Sequence, residues 1–269
     1  MTVLADIVAA TRRKVGKCRL TADFGELERQ AGFHVPRGFR RALKSVSQSG
    51  VAVIAELKKA SPSRGLIREN FDPAGLAREL EDAGAAALSV LTDEEFFQGS
   101  LDNLRTASAN STLPCLRKDF IVDEFQILEA RANRADAVLL IVAALSKKEL
   151  SSLLQRAGEL GLDVLCEVHD DAELDRALDA GCNLVGVNSR DLRTFRVDLE
   201  TLFRLATRIP QNVFAVAESG IENAADISRL RGVGYRAFLI GETLMRKPMP
   251  GDALKSLLLE TTSAVSTAN

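Results

Sequence analysis

The sequence has no tryptophan, one tyrosine and two histidines among its 269 residues. Such a shortage of tryptophan and tyrosine argues against stacking platforms for nucleic-acid bases. The formal net charge of −2 means that the chain has no excess of basic residues that would attract a nucleic acid or an anionic membrane surface. No apolar run reaches the ~18 residues that a membrane span needs, and the N-terminus lacks the apolar core and cleavage site of a secretory signal. We therefore expect a cytoplasmic protein with no nucleic-acid or membrane partner.

The sequence is also short of potential metal ligands at useful spacings. The four cysteines form no CxxC pair and have no histidine at ligand spacing. We predict free thiols, a packing role for Cys166 and Cys182, and no metal site. A structural role is likewise predicted for His169.

What the sequence does contain is a regular alternation. The hydrophobic fraction is 46%, enough for a substantial core. Short apolar runs recur roughly 23 to 34 residues apart, which is the length of a strand–helix–strand unit. We predict strands at Val51–Leu57, Ala85–Leu91, Leu113–Leu116, Ala137–Val142, Asp163–Val168, Leu184–Val187, Val213–Ala217 and Ala237–Ile240.

The segments between these runs carry helix start and stop signals. Asp72 followed by Pro73 is typical of a helix N-cap, with the stop at Gly84. Ser146 and Glu149 have the spacing of a capping box. Further helix starts are predicted at Ser100, Asp123, Asp170 or Asp171, Asp198, and Glu222 with Asn223. Arg134 stands where a helix-closing glycine would be expected.

Eight strands that each precede a helix, over about 220 residues, predict an α/β fold of the (β/α)8 TIM-barrel type. A doubly wound open sheet is the alternative, but its usual GxGxxG turn is absent. No linker divides the chain. We therefore predict one domain, in which residues 1–48 form an N-terminal helical extension packed on the barrel of residues 49–269.

Polar residues at the predicted strand ends have the best prospect of function, because barrel active sites lie at the C-terminal ends of the strands. Glu56 and Lys58 have the period-2 spacing of one strand face, so Lys59 should point away. The other strand-end residues are Lys118, Glu167, Asn188, Arg190, Glu218, Ser219 and Gly241. Neighbouring ammonium groups lower each other's pKa and facing glutamates oppose this, so we predict lysines that are tuned as acids near neutral pH.

A phosphate site is predicted beside the seventh and eighth strands, where barrels often bind phosphate. Ser219, Gly220 and Gly241 supply small residues and free N–H groups there.

In chain order, seven segments together resemble the indole-3-glycerol phosphate synthase family: AELKKASPSRG, LTDEEFFQGSLDNL, LRKDF, CEVHD, GVNSRDLRTFRVDL, AESGI and FLIGETLMR. The resemblance runs from about Leu4 to the final helix. It implies closure of 1-(2-carboxyphenylamino)-1-deoxyribulose 5-phosphate to indole-3-glycerol phosphate, with loss of CO₂ and water and without a cofactor. A phosphorylated small molecule is then the substrate, and a monomer is expected.

The resemblance also implies a role for each matching residue. Lys118 would be the general acid, Glu167 the base or proton relay, and Lys58 the partner of the substrate carboxylate with a possible role in dehydration. Glu56 would hold the lysines. The implied substrate-binding residues are Asn188 and Glu218 around the ribulose and nitrogen, Ser61, Ser219, Gly220, Gly241 and Glu242 at the phosphate, Phe97, Phe120, Leu139, Ile141 and Leu192 around the ring, and Arg190 with no substrate group assigned to it.

Glu242 fits this scheme less well, because its carboxylate would repel phosphate unless the side chain turns outward and only the N–H is used. Three other functions stay open. A phosphoribosylanthranilate isomerase would need a cysteine and aspartate pair, a Schiff-base aldolase would use Lys118 as nucleophile, and a non-catalytic barrel would bind without turnover.

Overall fold

Parallel strands close into an eight-stranded barrel in the computed structural model, which describes residues 3–191 and 194–266. Each strand pairs with the next along the chain, and the last pairs with the first: Ala52 is opposite Ala237, and Ile54 is opposite Ala87. The predicted (β/α)8 barrel is confirmed. The strands are β1 Ala52–Leu57, β2 Ala87–Leu91, β3 Cys115–Lys118, β4 Ala137–Ile141, β5 Asp163–Val168, β6 Leu184–Asn188, β7 Phe214–Glu218 and β8 Ala237–Ile240.

Helices precede the barrel and follow its strands, as the start signals predict. They are α1 Val3–Thr21, α2 Phe24–Phe33, α3 Phe39–Ser49, α4 Pro73–Asp82, α5 Glu94–Phe97, α6 Leu101–Ala109, α7 Glu124–Ala132, α8 Lys147–Glu159, α9 Asp171–Asp179, α10 Glu200–Ala206, α11 Ala224–Gly232, α12 Glu242–Met245 and α13 Pro250–Ser266. Among these residues, no helix combines the length and hydropathy needed to cross a bilayer. A short hairpin, Ala60–Ser61 with Gly65–Leu66, follows β1.

Most of the predicted helix starts are confirmed by their caps. Asp72 accepts a hydrogen bond from the Ala74 N–H, and Ser146 forms the capping box with Glu149. The helix predicted to begin at Asp198 instead begins at Glu200, whose N–H donates to the Asp198 carboxylate at 3.1 Å.

The turn after α7 is present although it contains no glycine. Arg134 adopts φ +68° there, in the left-handed region. An arginine therefore takes the conformation for which glycine is the usual residue.

Side chains alternate between two hydrophobic clusters along each strand. In β1, Ile54 points into the barrel, whereas Val53 and Ala55 face the surrounding helices. This alternation has the period of 2 expected of a strand. It carries Glu56 and Lys58 to the inner side at the C-terminal end of β1, which confirms their predicted common face.

The helices before the barrel, α1, α2 and α3, have 19, 10 and 11 residues. The segment between α2 and α3 is held by the fully buried Asp136 at the start of β4. Its carboxylate accepts from His34 Nε2 at 3.0 Å, from Arg37 Nη2 at 2.6 Å and from the Cys115 N–H at 2.7 Å. Burial raises the pKa of Asp136, but the His34 and Arg37 hydrogen bonds outweigh this and hold that pKa below its ordinary value. The domain boundary near residue 48 stays a prediction.

The prediction of four free thiols is wrong for one pair. A disulfide joins Cys166 in β5 to Cys182, just before β6, with their Cα atoms 6.4 Å apart. Parallel neighbours β5 and β6 bring the two together on the helix-facing side of the barrel, a proximity that a separation of 16 residues does not reveal. Cys18 and Cys115 are the free thiols among the described cysteines.

Candidate active site

A cavity of about 880 Å³ opens at the C-terminal ends of the strands. This volume is within the usual range for a small-molecule site. Almost every predicted site residue lines it: Glu56, Lys58, Ser61, Phe97, Lys118, Phe120, Leu139, Ile141, Glu167, Asn188, Arg190, Glu218, Ser219, Gly220, Gly241 and Glu242. The remaining one, Leu192, lies outside the described residues. Within the described ranges, no group of three or more potential ligands is arranged to hold a metal ion.

Glu56 and Lys58 form an ion pair at one edge of the cavity. Lys58 Nζ lies 2.6 Å from Glu56 Oε1, and Glu56 is only 4% exposed. Gly241, at the end of β8, leaves the room for this carboxylate, because a Cβ there would overlap Glu56 Oε1. The absence of a side chain at position 241 therefore makes room for the Glu56–Lys58 pair beside the predicted phosphate site.

Lys118, at the end of β3, reaches across the barrel to two carboxylates. Its Nζ lies 2.7 Å from Glu167 Oε2 of β5 and 3.1 Å from Glu218 Oε2 of β7. The three side chains are at most 12% exposed. Buried charges need partners of this kind, since desolvation is otherwise unfavourable.

The balance of charge differs from the prediction that the lysines would be acids tuned near neutral pH. Burial lowers the pKa of Lys118, but the Glu167, Glu218 and Glu56 carboxylates outweigh it and hold that pKa above the ordinary lysine value. The reason is distance, because two carboxylates lie within 3.1 Å of its ammonium group. Lys118 is therefore a firmly protonated group in the unliganded site.

The two glutamates beside Lys118 are unlike each other. Burial raises the pKa of Glu167, but Lys118 and His169 outweigh it and lower that pKa. Burial and the neighbouring Glu167 raise the pKa of Glu218 despite Lys118. Glu167 is thus the ionised member of the pair, and Glu218 tends to hold a proton.

Glycine also makes space for Glu218. A Cβ at Gly186 in β6 would overlap Glu218 Oε1, which is buried and has no hydrogen-bond partner among the described residues. The neighbouring Asn188 is 8% exposed, lies opposite Glu218 across the β6–β7 pairing, and accepts the Arg190 N–H at 3.0 Å.

The cavity wall after β7 and β8 carries backbone turns and cations. Ser219 and Gly220, after β7, have φ +67° and +72°, and Glu242 begins the short helix after β8. Consecutive N–H groups in such turns can form a concave anion site. These residues are where the phosphate site is predicted.

Glu242 does not stand alone beside that site, which explains its unexpected charge. Its carboxylate lies 3.0 Å from Arg64 Nε, 3.5 Å from Arg190 Nη2 and 3.2 Å from Arg246 Nη2. The side chain thus pairs with three guanidinium groups, which gives this end of the cavity a surplus of positive charge.

The cavity also contains an apolar slot. The rings of Phe97 and Phe120 are 6.2 Å apart, and Leu139 and Ile141 of β4 line the cavity beside them.

Two lining residues come from the N-terminal helix and were not predicted for the site. Leu4 and Ile7 of α1 line the cavity, and Ile7 belongs to the hydrophobic cluster of the barrel interior. Their apolar spacing is visible in the sequence, but nothing local indicates that α1 crosses the mouth. Phe195 and Val197, which lie within the GVNSRDLRTFRVDL segment, also line the cavity, and so does Lys247; none of the three was predicted for the site.

A comparison of the amino-acid sequence with protein-family models gives a match over most of the chain. The family model described as Indole-3-glycerol phosphate synthase matches residues 4–257. The chain belongs to this family. A protein of that name from Koribacter versatilis (strain Ellin345) is 58% identical over 257 residues, covering 96% of this chain and 99% of the relative. Another, from Rhodopirellula baltica, is 48% identical over 259 residues, again covering 96% and 99%.

More distant solved structures share the fold alone. KGPDC from Streptococcus mutans superposes with a TM-score of 0.61 at 12% identity, covering 79% of this chain and 98% of that one. A mandelate oxidase gives a TM-score of 0.59 at 16% identity, covering 81% and 74%. Sequence identities of 12% and 16% support a shared fold and not a shared activity.

Proposed function

We propose that the chain is a carboxy-lyase of tryptophan biosynthesis that closes 1-(2-carboxyphenylamino)-1-deoxyribulose 5-phosphate to indole-3-glycerol phosphate. The observation that carries this proposal is the buried cluster of Lys118, Glu167 and Glu218 at the mouth of a barrel of the indole-3-glycerol phosphate synthase family. The reaction needs an acid and a base that act on one small molecule, and this cluster holds both side by side.

The cavity has the polarity that such a substrate requires. The substrate carries a carboxylate and a phosphate with an aromatic ring between them. Lys58 takes the carboxylate, the Ser219–Gly220 and Gly241–Glu242 N–H groups with Ser61 and Arg190 take the phosphate, and the Phe97–Phe120 slot takes the ring. One orientation then satisfies both anionic groups at once.

In the first step, Lys118 donates its proton to the substrate carbonyl oxygen while the ring carbon that bears the carboxylate attacks the carbonyl carbon. A carbon–carbon bond forms, the carbonyl becomes a hydroxyl, and the positive charge passes to the ring and its nitrogen. Glu218 and Asn188 position the nitrogen and the ribulose hydroxyls. A protonated Lys118 suits this step, since an acid must hold its proton until the carbonyl oxygen becomes basic.

The next steps remove CO₂ and water. The bond to the carboxylate breaks and its electron pair neutralises the iminium charge, so the intermediate is its own electron sink and no cofactor is needed. Glu167 then takes the carbon-bound proton and the hydroxyl leaves with a proton from Lys58, which Glu56 holds in place. The aromatic indole results.

A Schiff-base aldolase is the alternative that the geometry disfavours most directly. That chemistry needs a neutral amine, which enzymes obtain by lowering the lysine pKa. Two carboxylates within 3.1 Å of Lys118 Nζ favour the charged form instead.

The deciding experiment is an indole fluorescence assay with the purified protein and the carboxyphenylamino-deoxyribulose phosphate. We expect indole-3-glycerol phosphate and CO₂ in equal amounts, with no added metal or cofactor. Failure to form product at substrate concentrations that saturate binding would refute the proposal. We further propose that the enzyme works as a cytoplasmic monomer, which sedimentation of the active protein and fractionation of its host would test.

A further inference from the structure

His169 and Glu173 form a chain of contacts with Glu167 at Oε1, the carboxylate oxygen that does not bind Lys118. His169 Nε2 is 3.4 Å from Glu167 Oε1, and His169 Nδ1 is 3.0 Å from Glu173 Oε2. The side chains of His169 and Glu173 are 12% and 15% exposed, and neither lines the cavity. The three groups therefore form a chain that approaches the proposed base from outside the substrate site.

The start of α9 fixes this chain. Asp170 is the N-cap and accepts the Glu173 N–H, so Glu173 occupies the first turn of the helix. Its carboxylate turns back to accept the His169 N–H at 2.8 Å as well as the His169 ring nitrogen. Because one carboxylate oxygen holds both the backbone and the ring, the imidazole has little freedom to rotate.

The imidazole sits between carboxylates on both sides. Burial lowers the pKa of His169, but Glu167 and Glu173 outweigh it and raise that pKa to about 10. The other charged groups that face Glu167 are Lys118 from β3 and Glu218 from β7. His169 is thus an imidazolium at neutral pH.

The two oxygens of Glu167 differ in how well they are held. Oε2 accepts a hydrogen bond from Lys118, whereas Oε1 faces a buried His169 Nε2 that has no hydrogen-bond partner among the described residues. When Lys118 donates its proton to the substrate, it becomes a neutral amine and Glu167 loses its nearest cation. His169 Nε2, 3.4 Å from the other oxygen, then remains beside the carboxylate as a cation and can close this contact to a hydrogen bond.

We propose that His169, fixed by Glu173, is a positioning residue that holds the Glu167 carboxylate and stays as its counter-charge after Lys118 has given up its proton. This inference rests on the proposed function of Glu167 as the base.

Kinetics of His169→Gln and Glu173→Gln test the proposal. We expect His169→Gln to lower kcat about ten-fold or more. Once Lys118 is neutral, loss of the His169 cation weakens the stabilisation of the Glu167 carboxylate by about one pKa unit or more, so Glu167 takes up a proton too early. KM should stay within about two-fold, because His169 does not touch the substrate. His34→Gln is the matched control. It breaks a buried histidine–carboxylate contact, His34 with Asp136 at 3.0 Å, that does not line the cavity. This variant should keep the kcat of the parent below its melting temperature.

The pH dependence separates positioning from simple packing. In Glu173→Gln, His169 loses one anionic partner, so its pKa falls and its charge is lost at a lower pH than in the parent. This variant should match the parent near pH 6.5 and approach His169→Gln near pH 8.5. In a Glu167→Gln background, His169→Gln should cause little further loss, because the group it acts through is gone.

NMR gives a readout that does not depend on turnover. The sequence has two histidines, so His34→Gln assigns the imidazole signals. The His169 signal should not titrate between pH 6 and 8.5 in the parent and should titrate there in Glu173→Gln. A His169 signal that titrates near 6.5 in the parent, or a kcat in His169→Gln equal to that of the parent, overturns the inference. No product from the parent chain itself would instead overturn the proposed function.

Discussion

Replacing Lys118 by alanine removes the proposed acid and, with it, the hydrogen-bonded partner of two carboxylates. We expect kcat to fall by about two to four orders of magnitude, the usual range for losing a positioned acid or base. That is about 2.7 to 5.4 kcal/mol of activation free energy. The upper part of this range is favoured, because Glu167 and Glu218 then face each other in a site where each is at most 2% exposed. Glu218 already tends to hold a proton, but without the Lys118 ammonium group Glu167 competes for that proton, so the base is impaired together with the acid.

The assay is single-turnover indole fluorescence with the enzyme in saturating excess over the substrate, which isolates chemistry from product release. Glu167→Gln should fall within the same range. Circular dichroism and a melting curve establish that each variant is folded. Borohydride treatment of the parent in the presence of substrate, followed by mass spectrometry, should find no adduct on Lys118.

Three results would contradict this reasoning. Turnover of Lys118→Ala close to the parent would remove Lys118 from the acid role. A stable borohydride-trapped adduct on Lys118 would show a nucleophilic amine and support the Schiff-base alternative. A loss of kcat in the parent near pH 8 that traced to Lys118 would contradict its raised pKa, since an ordinary lysine titrates near ~10.4.

Lys58→Ala should lower kcat/KM about ten-fold or more, while Lys59→Ala should stay within about two-fold, because only Lys58 lines the cavity; equal losses in steady-state kinetics would show that the strand register is wrong. Glu242→Gln should tighten inorganic phosphate binding a few-fold in low-salt calorimetry, because a negative charge is removed beside an anion site; weaker binding would mean that the carboxylate organises its arginines. Asp136→Asn should lower the free energy of unfolding at pH 7 by about 3 kcal/mol. Urea titrations should show this difference shrink below pH ~4. A carboxyl group whose pKa is depressed in the folded protein stabilises it above the ordinary pKa, and this stabilisation is lost as pH falls through the folded-state pKa. The exposed Asp179→Asn is its control, with an expected change of about 0–1 kcal/mol, and equal effects of the two would contradict the stabilising role of the buried carboxylate.

The barrel was predictable because its signals are local. Strand runs have a period of 2, and caps such as Ser146 with Glu149 mark helix starts within four residues. Glu56 and Lys58 follow from the same periodicity. Once the chain is a barrel, the ends of distant strands must meet at one mouth, so the grouping of Lys118 with Glu167 was also within reach.

What escaped prediction depends on distances across the fold. The pKa of Lys118 depends on carboxylates from two other strands, and motif spacing cannot tell whether these outweigh the effect of burial. The disulfide between Cys166 and Cys182 and the approach of Leu4 to the cavity depend on tertiary packing in the same way. His169 had a visible period-2 relation to Glu167, but its link to Glu173 requires the turn into α9.

The space left by Gly186 and Gly241 has a consequence for protein engineering. Each glycine faces one carboxylate, Gly186 with Glu218 and Gly241 with Glu56, and any Cβ would occupy the place of an oxygen atom. Transplanting the acidic residues alone into another barrel would therefore push their side chains aside and misalign the site. The portable unit is a glutamate together with the glycine on the adjacent strand, so a graft of this chemistry must carry both members of each pair.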